Sequence, residues 1–202
     1  MKNDISVIIL AAGNSSRMGK PKFLLEMPNR KVFLEHIIKQ YFDFGCENII
    51  VVFNEAGYKT AVEYYRYLPS KTQFIINPNH ELGRFSSIKI GIKQISTSHV
   101  FIHNVDNPYA KKEVLYQIYS ERLNADVVKP VMNNKGGHPV LISKKICEDI
   151  LLEKDDNLNL KGILSKYLTM KVEVNDKSIL LNINTNEELE EFRFLENNNA
   201  KA

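Results

Sequence analysis

The sequence predicts an α/β fold, because apolar runs typical of buried strands alternate with segments of helical periodicity from the start of the chain. This alternation favours a mostly parallel sheet that is covered by helices on both faces, a Rossmann-like three-layer α/β/α sandwich. With 202 residues, of which 44% are hydrophobic, the chain is long enough for one substantial core. We therefore expect a single domain over residues 1–196 and a frayed tail over residues 197–202.

Each predicted element follows from a local pattern of apolar residues and turn formers. Strands are expected at residues 5–10, 48–53, 73–76, 100–105, 126–132, 138–142, 171–174 and 179–183. Helices are expected near residues 34–41, 61–67, 88–95, 114–123, from 144 onward, 160–168 and 189–195. Residues 133–137 are expected to form a loop. Because ligands of such sheets bind at the carboxyl ends of the strands, the loops after residues 10, 76 and 105 should share one edge.

Composition argues against several classes of protein. The net charge is +3, acidic and basic residues nearly balance, and no run of five basic residues occurs, so we expect no nucleic-acid partner. Cys46 and Cys147 lie far apart, without the spacing of a disulfide framework or a zinc site, and both are expected to be buried. No apolar segment approaches the roughly 18 residues of a membrane span. We expect a cytoplasmic protein with no membrane partner.

The loop after the first strand carries the strongest functional pattern in the sequence. An apolar strand leads into small residues and then meets Arg17 and Lys22. Small side chains allow close approach of backbone N–H groups to an anion, and fixed positive charge stabilises phosphates. The pattern is neither a Walker A motif nor a G-x-G-x-x-G loop. The residues predicted to bind a nucleotide here are Leu10, Ala11, Ala12 and Gly13.

The segment from Leu10 to Lys22 reads L-A-A-G-N-S-S-R-M-G-K-P-K. It closely resembles the signature L-A-A-G-x-S-x-R-M-G-x-x-K of nucleotidylyltransferases related to the molybdenum cofactor cytidylyl- and guanylyltransferases. The resemblance implies a fold of the nucleotide-diphospho-sugar transferase type and in-line attack of an acceptor phosphate on the α-phosphorus of a nucleoside triphosphate. A phosphate nucleophile is already ionised at neutral pH, so no general base is required. Arg17 and Lys22 would be catalytic, because they compensate the negative charge of the phosphates.

Two later segments resemble further parts of the same family. Asn77, Ser86 and Ser87 match the segment that contacts the base and ribose of the nucleotide. Gly137 and His138 begin a G-H-P-V segment that is typical of the cytidylyl branch and lies near the acceptor substrate. Local chemistry leaves other roles open, because the serines could cap a helix and His138 could be an ordinary strand-edge residue.

A third segment resembles the metal site of the family. Asp106 precedes Asn107 and a proline, which is similar to the family's D-x-P sequence. The resemblance implies Mg²⁺, with Mn²⁺ as an alternative, held by Asp106 and by Asn184. Residues 182–189 read N-I-N-T-N-E-E-L where the family often reads D-I-D-T-P-E-D-L, so both aspartates are replaced. An amide oxygen is still a competent hard ligand for Mg²⁺, although Asn184 could equally be a helix N-cap.

The resemblance implies a Mg²⁺-dependent transfer of CMP, or alternatively GMP, from the nucleoside triphosphate to molybdopterin cofactor, with release of pyrophosphate. The G-H-P-V segment favours CTP, and a molybdoenzyme maturation protein is a further candidate partner. One alternative changes the acceptor to a sugar phosphate, a polyol phosphate such as methylerythritol phosphate, or choline phosphate. A glycosyltransferase is less favoured, because its D-x-D motif reads D-N-P here. The last alternative is a non-catalytic nucleotide-binding maturation factor.

Overall fold

A mixed β-sheet forms the middle layer of the protein. The computed structural model describes residues 4–15, 18–65, 67–155 and 158–199, and in these ranges the sheet has eight strands. They are β1 (Ile5–Leu10), β2 (Asn48–Phe53), β3 (Thr72–Ile76), β4 (His99–Asn104), β5 (Val127–Met132), β6 (Lys135–Gly136), β7 (Val140–Ser143) and β8 (Thr169–Glu173).

The spatial order of the strands in the sheet is β3-β2-β1-β4-β7-β5-β6, and β8 pairs with β5. Strands β1 to β4 are mutually parallel, whereas β7 is antiparallel to β4 and β5. The predicted α/β fold with a mostly parallel sheet is confirmed.

Helices cover both faces of this sheet. They are α1 (Phe33–Phe44), α2 (Glu55–Tyr64), α3 (Arg84–Ile92), α4 (Lys112–Ser120), α5 (Lys144–Leu152), α6 (Leu160–Leu164) and α7 (Asn186–Asn199). Side chains of Ile5, Val7 and Ile9 in β1 lie in one core with α1, α2 and α4. Ile8 and Leu10 lie in a second core with α3, α5 and α6. Successive side chains of a strand point to opposite faces, so the continuous apolar run of β1 supplies both cores.

Two compositional expectations can be compared with this architecture. Cys46 and Cys147 are buried, are not joined by a disulfide and belong to different cores, as the sequence predicts. Within the described ranges, no helix is long and apolar enough to cross a membrane.

Local capping sets the ends of the first two helices. Helix α1 ends at Gly45, whose φ of 97° is readily adopted only by glycine. Helix α2 begins after Asn54, whose side-chain oxygen accepts a 2.6 Å hydrogen bond from the N–H of Gly57. The helix predicted at residues 61–67 is therefore misplaced. The Asn54 cap starts it earlier, and Tyr65 has an extended backbone that ends it.

The strand predicted at residues 179–183 is wrong. The chain instead forms a 3₁₀ helix at Lys177–Leu180, which is started by a 2.9 Å hydrogen bond from the Ser178 N–H to the Asp176 carboxylate. After this helix the N–H of Ile183 donates to the carbonyl oxygen of Asp106 at 2.9 Å. The apolar residues of the segment are thus buried without joining the sheet, and the segment contacts the turn after β4.

Two smaller predictions near the C-terminal half also differ from the structure. The expected loop at residues 133–137 is a tight hairpin, because Asn133 and Asn134 adopt left-handed φ values of 49° and 64° and allow β6 to pair with β5. Residues 197–199 of the expected frayed tail belong to α7, and residues 200–202 lie outside the described part of the chain.

A buried polar network lies beneath the carboxyl end of β4. The ring of His103 is fully buried, with Nε2 2.8 Å from the carbonyl oxygen of Asn107 and Nδ1 2.9 Å from the hydroxyl of Tyr41. Because a carbonyl only accepts, Nε2 carries the proton, and Nδ1 accepts from Tyr41. Burial disfavours the charged ring and lowers the pKa of His103 to about 4. His103 is therefore a neutral part of the core.

Gly137 follows β6 at a point where two backbone segments are in close contact. A Cβ atom on this residue would lie 2.6 Å from the carbonyl oxygen of Ile179 and 2.7 Å from the Ile179 Cβ. The neighbouring N–H of His138 donates to the same carbonyl oxygen at 2.9 Å. Gly137 is needed here because any side chain would push the two segments apart. Gly136, by contrast, has open space around its Cβ position.

We expect Gly137→Ala to lower the free energy of unfolding by about 1–3 kcal/mol, because the added methyl group meets backbone atoms that cannot move independently. Gly136→Ala is the matched control and should change this free energy by less than about 0.5 kcal/mol. Urea denaturation of the two variants measures the difference. Equal stability of the two variants would show that the close contact is absent.

We expect the protein to lose stability as the pH falls from about 6.5 towards 4. The pKa of His103 is lower in the folded chain than in the unfolded chain, so the unfolded state binds more protons in this window. The full contribution of His103 to this loss is on the order of 3 kcal/mol. His103→Gln should reduce the pH dependence of the free energy of unfolding, measured by denaturation at several pH values. His80→Gln, a change at a partly exposed histidine, should keep it.

Candidate functional site

A cleft of about 390 Å³ lies at the carboxyl ends of β1 and β4. The loop after β1, the segment from His80 to Ser87 and the turn after β4 all line this cleft. These are the three loops that the sequence places at one sheet edge. The parallel strands cause this, because their carboxyl ends all meet at the same side of the sheet.

The loop after β1 lines the cleft with its small residues. The predicted nucleotide-binding residues all belong to this lining: Leu10, Ala11, Ala12 and Gly13. The Asn54 amide fixes the loop, since its Nδ2 donates to the carbonyl oxygen of Ala12 at 3.1 Å and to the side-chain oxygen of Asn14 at 3.4 Å. The same asparagine caps α2, so one side chain connects the loop to that helix. Arg17, one of the two predicted cations, lies outside the described residues.

Three predicted site residues converge in the cleft although they are far apart in the sequence. The ammonium nitrogen Nζ of Lys22 lies 2.6 Å from Oδ1 of Asn184 and 3.7 Å from Oδ2 of Asp106. The side chains of Lys22 and Asp106 are only 18% and 16% exposed. Charges in such a partly buried position are screened less than charges on the surface, so the cation and the carboxylate interact strongly.

Backbone contacts hold each of these three residues in place. The N–H of Lys22 donates to the hydroxyl oxygen of Ser15 at 3.1 Å, which closes the loop after β1. The carbonyl oxygen of Asp106 accepts from Ile183, the residue that precedes Asn184. One backbone hydrogen bond therefore places the two predicted metal ligands side by side.

Asn107 fastens the turn that carries Asp106. This residue is fully buried, and its side chain accepts from the N–H of Tyr109 at 3.0 Å and donates to the carbonyl oxygen of Ser178 at 3.1 Å. Its own carbonyl oxygen accepts from His103. The asparagine in the D-N-P sequence is thus a structural residue that joins the turn to the 3₁₀ helix at 177–180.

The oxygens of Asp106 and Asn184 fit a hard divalent cation. Oδ1 of Asp106 is buried and has no hydrogen-bond partner among the described residues. The described part of the chain contains no cluster of three or more His, Cys, Asp or Glu residues that could form an all-protein metal site. Mg²⁺ commonly uses one or two protein ligands together with substrate phosphates and water, which agrees with this sparse set of ligands.

The segment predicted to contact the base and ribose is only partly on the cleft surface. Ser87 lines the cleft, whereas Asn77 is fully buried behind it. Nδ2 of Asn77 donates to the hydroxyl oxygens of Ser86 and Ser87 at 2.8 and 2.9 Å. Neither serine is the N-cap of α3, because that position belongs to Gly83. Asn77 and Ser86 therefore position the first turn of α3 and do not line the cleft.

The segment predicted to lie near the acceptor is also behind the cleft wall. Gly137 is buried against Ile179. Nε2 of His138 lies 3.3 Å from Nδ2 of Asn104, which donates to it, and Asn104 lines the cleft. Burial lowers the pKa of His138 and keeps the ring neutral at pH 7. His138 is therefore joined to the cleft lining by its hydrogen bond with Asn104.

Sequence reasoning missed one cation of the cleft. Arg84 is exposed, lines the cleft and is the first residue of α3. It follows Gly83, whose φ of 93° brings the start of the helix to the cleft. Gly83 is the local pattern that could have predicted the position of Arg84 at the cleft. An exposed arginine at the start of a helix does not by itself indicate a ligand site.

Comparisons with known proteins identify the family of the chain. Residues 7–170 match the family model of the MobA-like NTP transferase domain. The chain is 32% identical over 182 residues to the molybdenum cofactor cytidylyltransferase of Escherichia coli strain K12, covering 90% of this chain and 91% of that protein.

Two solved structures share the fold. The manganese complex of Rv0371C from Mycobacterium tuberculosis has a TM-score of 0.76 and 16% identity, covering 95% of this chain and 99% of the other. The 4-diphosphocytidyl-2C-methyl-D-erythritol synthase of Anaerococcus prevotii also has a TM-score of 0.76 and 16% identity, covering 98% and 100%. Together with the sequence matches, these findings show that the chain belongs to the MobA-like NTP transferase family and is a nucleotidyltransferase.

Proposed function

We propose that the protein transfers CMP from CTP to molybdopterin cofactor and releases pyrophosphate, in a reaction that depends on Mg²⁺. The observation that carries this proposal is the convergence of Lys22, Asp106 and Asn184 beside the loop after β1. A cation, a carboxylate and an amide oxygen next to small loop residues form a suitable environment for a metal-bound triphosphate. A cytoplasmic location and a molybdoenzyme maturation partner are part of the same proposal.

In this mechanism a phosphate oxygen of the acceptor attacks the α-phosphorus of CTP in line. The bond between that oxygen and the α-phosphorus forms as the bond to the bridging oxygen of the β-phosphate breaks, and pyrophosphate leaves. Lys22 stabilises the negative charge of the phosphates, and we assign the same task to Arg17 and Arg84. Asp106 and Asn184 would hold the divalent ion, which supplies further charge compensation when bound.

Ser87 can donate a hydrogen bond to the base of CTP. Its hydroxyl oxygen accepts from Asn77, so its own proton is available to an acceptor atom in the cleft. Cytosine offers O2 and N3 as acceptors on its pairing edge, and either atom can accept this proton. The 32% identity to a cytidylyltransferase supports the same choice.

A second candidate function keeps the reaction but changes the acceptor to methylerythritol phosphate. It is favoured by Asn182 and Asn184, which replace the aspartates usual in the molybdenum cofactor branch. The fold similarity to the synthase of Anaerococcus prevotii is compatible with this acceptor.

We expect pyrophosphate release when the protein is incubated with Mg²⁺, CTP and molybdopterin cofactor, at a higher rate than with GTP. Mass spectrometry of the products identifies the acceptor. Asp106→Asn should lower the rate by about a hundredfold or more while the melting temperature stays close to that of the wild type. Release only with methylerythritol phosphate would favour the second candidate. No release with any acceptor, together with a melting temperature raised by CTP, would indicate a non-catalytic nucleotide-binding protein.

Two neighbouring serines provide a matched test of the nucleotide site. Ser87→Ala should raise the KM for CTP by about five- to tenfold, because it removes a hydroxyl group that faces the cleft. Ser86→Ala removes a hydroxyl that hydrogen-bonds to Asn77 and to Gly83, so its main effect should be a loss of about 1–2 kcal/mol in the free energy of unfolding. Steady-state kinetics and urea denaturation separate the two effects. An unchanged KM in Ser87→Ala would argue against a contact with the nucleotide.

A further inference from the structure

The ammonium group of Lys22 contacts one side-chain oxygen of each of the two residues proposed to bind metal. It donates to Oδ1 of Asn184 at 2.6 Å and forms an ion pair with Oδ2 of Asp106 at 3.7 Å. Both side chains of the ion pair are mostly shielded from water. The predicted metal ligands therefore already have a cation of the protein itself as a partner.

A divalent cation on these oxygens would compete with Lys22. It would take the same amide oxygen and carboxylate, and it would lie beside a positive charge in a partly buried place where repulsion is poorly screened. The competition ends only if the ammonium moves to another anion. A triphosphate in the adjacent cleft supplies such an anion, because it carries several negative charges.

The side chain of Lys22 can make this move while its backbone stays in place. The N–H of Lys22 is bonded to the Ser15 hydroxyl, and the residue begins the 3₁₀ helix at Lys22–Leu24. Four rotatable bonds separate the ammonium from this fixed backbone. The lysine and the loop residues Ala12 and Gly13 line the same cleft, so the phosphates and the ammonium share one space.

The neutral side chain of Asn184 determines the charge balance of the site. The negative charge of Asp106 is matched by the positive charge of Lys22, and Asn184 adds none. Glu188 lies next to this position, but one of its carboxylate oxygens accepts from the N–H groups of Asn184 and Thr185. An aspartate at position 184 would add one negative charge beside this pair and would attract a metal ion even without nucleotide.

We propose that Lys22 is the internal counter-ion of the metal site and that the divalent cation therefore enters together with the nucleoside triphosphate. This inference rests on the proposed function, since it assumes that Asp106 and Asn184 are metal ligands. It assigns Lys22 two successive partners: the metal ligands in the free protein and the phosphates in the nucleotide complex.

Equilibrium dialysis with Mn²⁺ as the probe tests this proposal without any turnover. The wild-type protein alone should bind Mn²⁺ weakly, and Lys22→Met alone should bind it roughly tenfold more tightly or better, because the competing charge is gone. Asn184→Asp should also increase binding to the nucleotide-free protein. With CTP present, the wild type should retain Mn²⁺ and CTP in equal amounts.

Two control variants define the site that is measured. Lys20→Met removes an exposed lysine outside the cleft lining and should leave Mn²⁺ binding as weak as in the wild type. Adding Asp106→Asn to Lys22→Met should abolish the gain, which shows that the bound ion uses Asp106. Circular dichroism verifies that every variant is folded.

Several outcomes would overturn the proposal. Wild-type protein that binds Mn²⁺ without nucleotide as tightly as Lys22→Met would show that the ammonium does not block the site. If neither Lys22→Met nor Asn184→Asp bound Mn²⁺, the ammonium of Lys22 would likewise not be the group that blocks the site. The proposed reaction is tested by a different measurement, because only the absence of pyrophosphate release would contradict it. Failure of the one proposal can therefore be distinguished from failure of the other.

Discussion

The hydrogen bond from the N–H of Ile183 to the carbonyl oxygen of Asp106 is the contact on which the site depends. It joins the turn after β4 to a segment that is remote in the sequence, and it puts Asn184 next to Asp106. Asn107 strengthens the same junction by donating to Ser178. Without this junction the two proposed metal ligands would belong to separate loops, and Lys22 would have only one of them within reach.

The charges of the cleft are arranged around this junction. At 3.7 Å the attraction between Lys22 and Asp106 is about 4 kcal/mol for an effective dielectric constant of about 20, and the cost of removing both groups from water offsets part of it. Such a pair contributes little to stability, but it orients both side chains. The loop after β1 and the cation of Lys22 thus lie at the same cleft, where fixed positive charge can stabilise phosphate groups.

Several residues that resemble ligand contacts in the sequence support the site from behind. Asn77 holds the two serines of α3, Gly137 permits close packing against Ile179, and His138 accepts from Asn104. A sequence motif includes the residues that contact the ligand and also the residues that hold those contact residues in place. Only burial and hydrogen bonding separate the two roles, and both depend on contacts between distant segments.

The sequence by itself determined the α/β class, the strand β1 with its two apolar faces and the position of the loop from Leu10 to Gly13. It also carried the motifs from which we propose roles for Lys22 and Asp106. These features follow from local periodicity and from short motifs, which neighbouring residues are sufficient to define. Tertiary structure decided the start of α2 at the Asn54 cap and the 3₁₀ helix in place of a predicted strand at 179–183. It also decided the meeting of Lys22, Asp106 and Asn184, because residues so far apart in the chain are brought together only by the packing of the whole sheet and its loops.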